Sequence, residues 1–83
     1  MAMRLSVQLY DMGNPAFEKL RAAGKRVSVF LDGKEIEDCL TADEDAGMVI
    51  VFCRDESGKL IVNYQAGEVK RTFLWGKVRI KVN

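Results

Sequence analysis

Cys39 and Cys53 are the most nucleophilic side chains in this 83-residue chain, and the sequence contains no histidine to serve as their base. Nucleophilic catalysis needs an activated Ser, Cys or Thr beside such a base. Cys53 closes an apolar run, where burial raises a thiol pKa, and Cys39 follows Asp38, whose charge disfavours a thiolate. Both therefore read as reduced, structural thiols. With two cysteines, no CxxC pair and no histidine, a Cys/His zinc site cannot be assembled from one chain.

Carboxylates gather at Glu35, Glu37, Asp38, Asp43, Glu44 and Asp45. A carboxylate pair can hydrolyse a glycoside, but only beside a cleft that a chain this short has little room to build. These side chains read as a solvated hairpin edge and loop. Asp43-Glu44-Asp45 lacks the central Gly and late bidentate Glu of a calcium loop. Gly24-Lys25 follows a helical segment instead of opening one, so no helix N-terminus faces it to hold a phosphate. The expectation is no catalytic residue, no cofactor and no metal.

Two surface features remain. Lys77, Arg79 and Lys81 alternate on the last strand, with Lys70 and Arg71 on the strand before it and Tyr64, Phe73 and Trp75 close by. A basic face interleaved with aromatics can bind single-stranded nucleic acid. Alternating cations on a terminal strand also protect an edge from aggregation, and this second reading is preferred because the net charge is only +1. Trp75, beside Gly76 at a corner, is either an interface anchor or the buried cap of a small barrel, and Phe73 reads as core. Charge is unevenly spread: residues 1–45 carry six basic and nine acidic side chains, and residues 46–83 carry seven and three.

The elements that must position these residues follow from periodicity. Arg4–Tyr10 alternates as a half-buried strand does, with Leu5, Val7 and Leu9 inward. Asn14 suits an N-cap, Pro15 a first helical position, and Gly24 a helix stop, giving one short helix near residues 15–23. Arg26–Leu31, Asp32-Gly33 and Lys34–Leu40 read as a hairpin with Phe30 opposite Glu35, and with a bulge near Asp38-Cys39. Thr41–Gly47 reads as an acidic loop. Met48–Cys53 is apolar throughout, the pattern of a central strand covered on both faces. Leu60–Tyr64, Glu68–Trp75 and Lys77–Val82 complete the strands.

The expected fold is one mainly β domain spanning residues 1–83, a small antiparallel barrel or sandwich of five to seven strands with one short helix near the N-terminus. No apolar run approaches the ~18 residues of a membrane span, and the start is not patterned as a signal peptide, so a cytoplasmic site is expected. The stripe Phe17, Leu20 and Ala23 is narrow cover for Met48–Cys53. A homo-oligomer is therefore expected, with Phe30 or Trp75 at the contact.

The stretch Val27–Ile36, then Cys39, Ala42-Asp43, Gly47–Val51, Arg54–Lys59 and Gly76–Ile80 resembles small, β-rich proteins encoded by tailed phages and prophages. That resemblance implies a non-enzymatic structural or accessory protein, working through contacts with itself or with another phage or host protein, and in some cases carried in the virion. A nucleic-acid-binding barrel and a monomeric module that binds a regulator or host protein are the alternatives.

Overall fold

A computed structural model, describing residues 2–83, builds the chain from nine strands and one helix. In chain order these are β1 (Arg4–Ser6), α1 (Asn14–Ala22), β2 (Val27–Leu31), β3 (Lys34–Glu35), β4 (Cys39–Asp43), β5 (Met48–Phe52), β6 (Val62–Asn63), β7 (Glu68–Val69), β8 (Arg71–Trp75) and β9 (Val78–Val82). They form a four-stranded sheet in the order β1-β4-β5-β8, a three-stranded sheet β3-β2-β9, and the two-stranded ribbon β6-β7. Every pairing is antiparallel. The protein is mainly β with one short helix, as its alternation and turns predict. The sheets are open, so the barrel alternative is not formed, and the strands are more numerous and shorter than the five to seven expected.

The Asp32-Gly33 turn behaves as its chemistry requires. Both residues hold positive φ (50° and 83°), and Phe30 stands opposite Glu35. The return strand does not continue to Leu40. After Ile36 donates its N–H to the Val29 carbonyl, the chain bends at Asp38, which takes φ 58°, with its carboxylate held by Arg54. Beyond that bend Cys39–Asp43 leaves β2 and enters the other sheet between β1 and β5, with an irregularity between Cys39 and Thr41. The segment expected to be an acidic loop is thus largely a strand, and the loop shrinks to the turn before Gly47. That turn is close-packed: a Cβ on Gly47, at φ 65°, would stand 2.7 Å from the Gly76 carbonyl oxygen.

The first strand is also shorter than its alternation suggests. It ends at Ser6, after which Leu9 and Tyr10 project into solvent from a loop. The helix begins one residue earlier than expected, with Gly13 at the cap. Asn14 does not cap it. Its buried side chain donates Nδ2–H to the Ser6 carbonyl, tying the helix start to β1.

The two larger sheets share one core of Val29, Ala42, Val49, Val51 and Val78, with Val27, Leu31, Ile36, Cys39 and Ile80 packed against it. β-branched side chains dominate because each strand offers alternate residues to a common interior. The Glu44 carboxylate joins the sheets at one side, accepting the N–H groups of Met3 and Ile80. The helix packs on β1 and does not lie over β5.

Candidate interaction surface

Pairing register separates the two faces of the four-stranded sheet. Val49 and Val51 face the core, so their strand neighbours Met48, Ile50 and Phe52 face outward. Across from them on β8 stand Trp75, Phe73 and Arg71, and across on β4 stand Asp43 and Thr41, which meet Arg4 and Ser6 of β1.

This outer face has two unlike halves. Over β1 and β4 it is polar and closed. The hydroxyls of Ser6 and Thr41, both 1% exposed, lie 2.7 Å apart, and Thr41 Oγ1 also donates to Gln8 Oε1. The Gln8 N–H donates to Ser6 Oγ, so the loop after β1 folds back over the pair. Arg4 bridges Asp11 through two donors and Asp43 through a third. The guanidinium holds the Asp11 carboxyl below the usual range. Asp43 is lowered first by the Ala46 N–H and then by Arg4.

Over β5 and β8 the face is apolar and open. Phe73 is 55% and Trp75 66% exposed, so Phe73 is not a core residue and Trp75 does not cap the interior. The reason is positional: β8 is an edge strand, and helix α1 packs on β1. The ribbon β6-β7 rises beside it and encloses a groove of about 770 Å³, with Ile50 and Phe73 on its floor and Ile61, Val62, Lys70 and Arg71 along its walls.

The residues singled out in the sequence are divided among surfaces. Trp75 and Arg71 lie on the outer face of the four-stranded sheet, with Lys70 at the groove wall. Phe30 lies on the outer face of the three-stranded sheet, between Glu35 on one side and Arg79 on the other. Lys81 shares that face opposite Ser28, and Lys77 precedes β9. The five basic side chains therefore do not form one continuous surface, and among the described residues none of them makes an ion pair. Phe30 and Trp75 likewise belong to different sheets. Ile50 and Ile61, which floor and wall the groove, were not singled out in the sequence. The unbroken apolar run is the signal for Ile50, although by itself it predicts cover on both faces.

Cys39 and Cys53 are free thiols, both half-buried. Burial pushes the Cys39 thiol up to about 11. The cause is desolvation and not the neighbouring Asp38, whose charge Arg54 neutralises. Cys39 Sγ donates to the Thr41 carbonyl. A second cavity, about 240 Å³, opens at the mouth of the core beside Cys39, Leu5 and Phe17, below the ~300 Å³ at which small-molecule pockets usually begin. Among the described residues no three Cys, Asp or Glu side chains converge as metal ligands, and no helix is long and apolar enough to cross a membrane.

No family model, curated protein or solved structure matches the chain.

Proposed function

We propose that this chain is a non-enzymatic structural or accessory protein of the tailed-phage type, which works by protein–protein contact through the apolar half of its four-stranded sheet. The carrying observation is the exposure of Phe73 and Trp75 beside a groove floored by Ile50. Large aromatics that remain solvated in a monomer, next to apolar walls, are typical anchors of a protein contact. The resemblance of Val27–Ile80 to small phage and prophage proteins supports the class. The absence of histidine and the protonated Cys39 thiol weigh against covalent catalysis.

The nucleic-acid reading has weaker support, because Lys70 and Arg71 stand apart from Arg79 and Lys81. It calls for affinity that falls with salt, with a log–log slope near about −0.7 per phosphate contact on a single strand. The monomeric regulator-binding reading uses the same apolar face and differs only in its partner.

The test is co-purification. Mass spectrometry of purified particles and assembly intermediates, from cells producing the chain together with its encoded neighbours, should detect it in fixed stoichiometry. Ile50→Lys, which places a charge on the groove floor, should remove it from those assemblies while leaving it folded. A chain that is absent from every assembly, or that is retained equally with Ile50→Lys, would overturn the reading.

A further inference from the structure

The two larger sheets end in four edges, and three of them are protected. On β1 the outward N–H of Ser6 donates to the Gly13 carbonyl just before the helix. On β9 the outward N–H of Ile80 donates to the Glu44 carboxylate, and the flanking side chains are Arg79 and Lys81. The β3 edge is two residues long, Lys34-Glu35. Short strands, edge charges and covering groups are the usual protections against unwanted pairing.

The β8 edge is five residues long, has no covering group and carries a single charge, Arg71 at one end. Two hydrogen bonds set its parity: Cys53 N–H to the Lys70 carbonyl, and Gly76 N–H to the Gly47 carbonyl. The Lys70 carbonyl and the Gly76 N–H are thus engaged on the β5 side, the Lys70 N–H goes to the Ile61 carbonyl, and Thr72 and Leu74 share the parity that faces β5. Arg71, Phe73 and Trp75 turn their backbone groups outward. Among the described residues, these outward groups have no backbone or side-chain partner. Their side chains are exposed and include two large aromatics.

We propose that β8 pairs with β8 of a second copy of this chain, antiparallel about a two-fold axis at Phe73, joining two four-stranded sheets into one. This inference rests on the contact reading above and names its partner. The strand is self-complementary in this register. Phe73 meets the second copy's Phe73, and Arg71 meets the second copy's Trp75, so a cation faces an indole instead of another cation. Each of these pairs is of the type that exchanges both N–H···O bonds, because all three residues already point outward. The same operation on β9 about Ile80 would set Arg79 against Lys81, like charge against like charge, on an edge whose central N–H is already taken. The antiparallel two-fold also gives Phe73 and Trp75 cross-strand neighbours without moving the core.

Sedimentation equilibrium at roughly 10–100 µM, combined with amide hydrogen exchange, tests this. The expected result is a dimer in which the amides of Arg71, Phe73 and Trp75 exchange slowly and revert to fast exchange on dilution. Phe73→Pro removes an N–H that the monomer does not use, and proline is tolerated on edge strands, so the fold should survive. Its dimer Kd should rise at least about tenfold. Phe73→Lys keeps the N–H but sets two cations face to face, and should have the same effect. A dimer with fast-exchanging β8 amides, unaffected by either variant, overturns the edge pairing and leaves the contact reading standing. A chain that is monomeric throughout this range also overturns it, and the particle measurement then decides the contact reading separately.

Discussion

The outer face of the four-stranded sheet carries two solutions to the same geometric problem. Over β1 and β4 the loop Val7–Gly13 folds back, and every polar side chain beneath it is matched: Ser6 with Thr41, Thr41 with Gln8, Arg4 with Asp11 and Asp43. Over β5 and β8 Phe73 and Trp75 stay exposed, and Ile50 and Phe73 line a groove. The contrast shows where this domain keeps its stability and where it has surface to offer. A network of buried hydrogen bonds is lost whole when one member goes, whereas exposed aromatics can be exchanged with little effect on folding.

The largest effect expected from a single change is in the closed half. Thr41→Val keeps the shape but strands the buried Ser6 hydroxyl and the Gln8 side chain, and should destabilise by about 2 kcal/mol in denaturant melts. A cost below about 0.5 kcal/mol would show that the loop does not hold this half shut.

Arg4→Ala should cost somewhat less, about 1–2 kcal/mol, because the ion pairs it breaks are partly exposed and screened. It should also change the response to acid. Folding holds Asp11 and Asp43 below their ordinary 3.8. Their contribution is therefore complete above that pH and is lost as pH falls through the lowered folded values. The wild type should lose melting temperature below about pH 4, and Arg4→Ala should flatten that loss. The flattening should be incomplete, since the Ala46 N–H continues to lower Asp43. An unchanged acid slope would mean that Arg4 does not act on these carboxyls.

Trp75→Ser, in the open half, should shift stability by no more than about 0.5 kcal/mol while weakening self-association in sedimentation. A large loss of stability in a dilute monomer would erase the distinction between the halves. The smallest effect concerns Cys39, which lies across the sheet on the core side. Its thiol, pushed up to about 11, should alkylate slowly at neutral pH in the native state and at the ordinary rate once unfolded. Rapid native labelling would place it outside the packed core.

Much of the fold was legible in the residues because its signals are local. Asp32-Gly33 demanded positive φ at two successive residues, and the hairpin register followed from it. Met48–Cys53 announced a central strand by being apolar throughout, and Val78, Ile80 and Val82 alternated cleanly with cations. Turn chemistry and period-two alternation are decided by neighbours in sequence, so a short window suffices to read them.

Other features depended on partners far along the chain. Thr41-Ala42-Asp43 looked like loop because its polar side chains gave no sign that Ser6, 35 residues earlier, would satisfy Thr41. Phe73 looked like core because it is large and apolar, yet its burial depended on whether any element would cross β8, and helix α1 packs on β1. The split of the five basic side chains between two sheets likewise depended on the chain changing sheets at the Gly76 corner. The sequence by itself determined which residues turn, which alternate and which are apolar on both sides, since steric and hydrophobic preferences act residue by residue. Only the tertiary structure decided which sheet face is covered and which edge stays open, since covering a face requires a second segment whose placement is set by the packing of the whole chain.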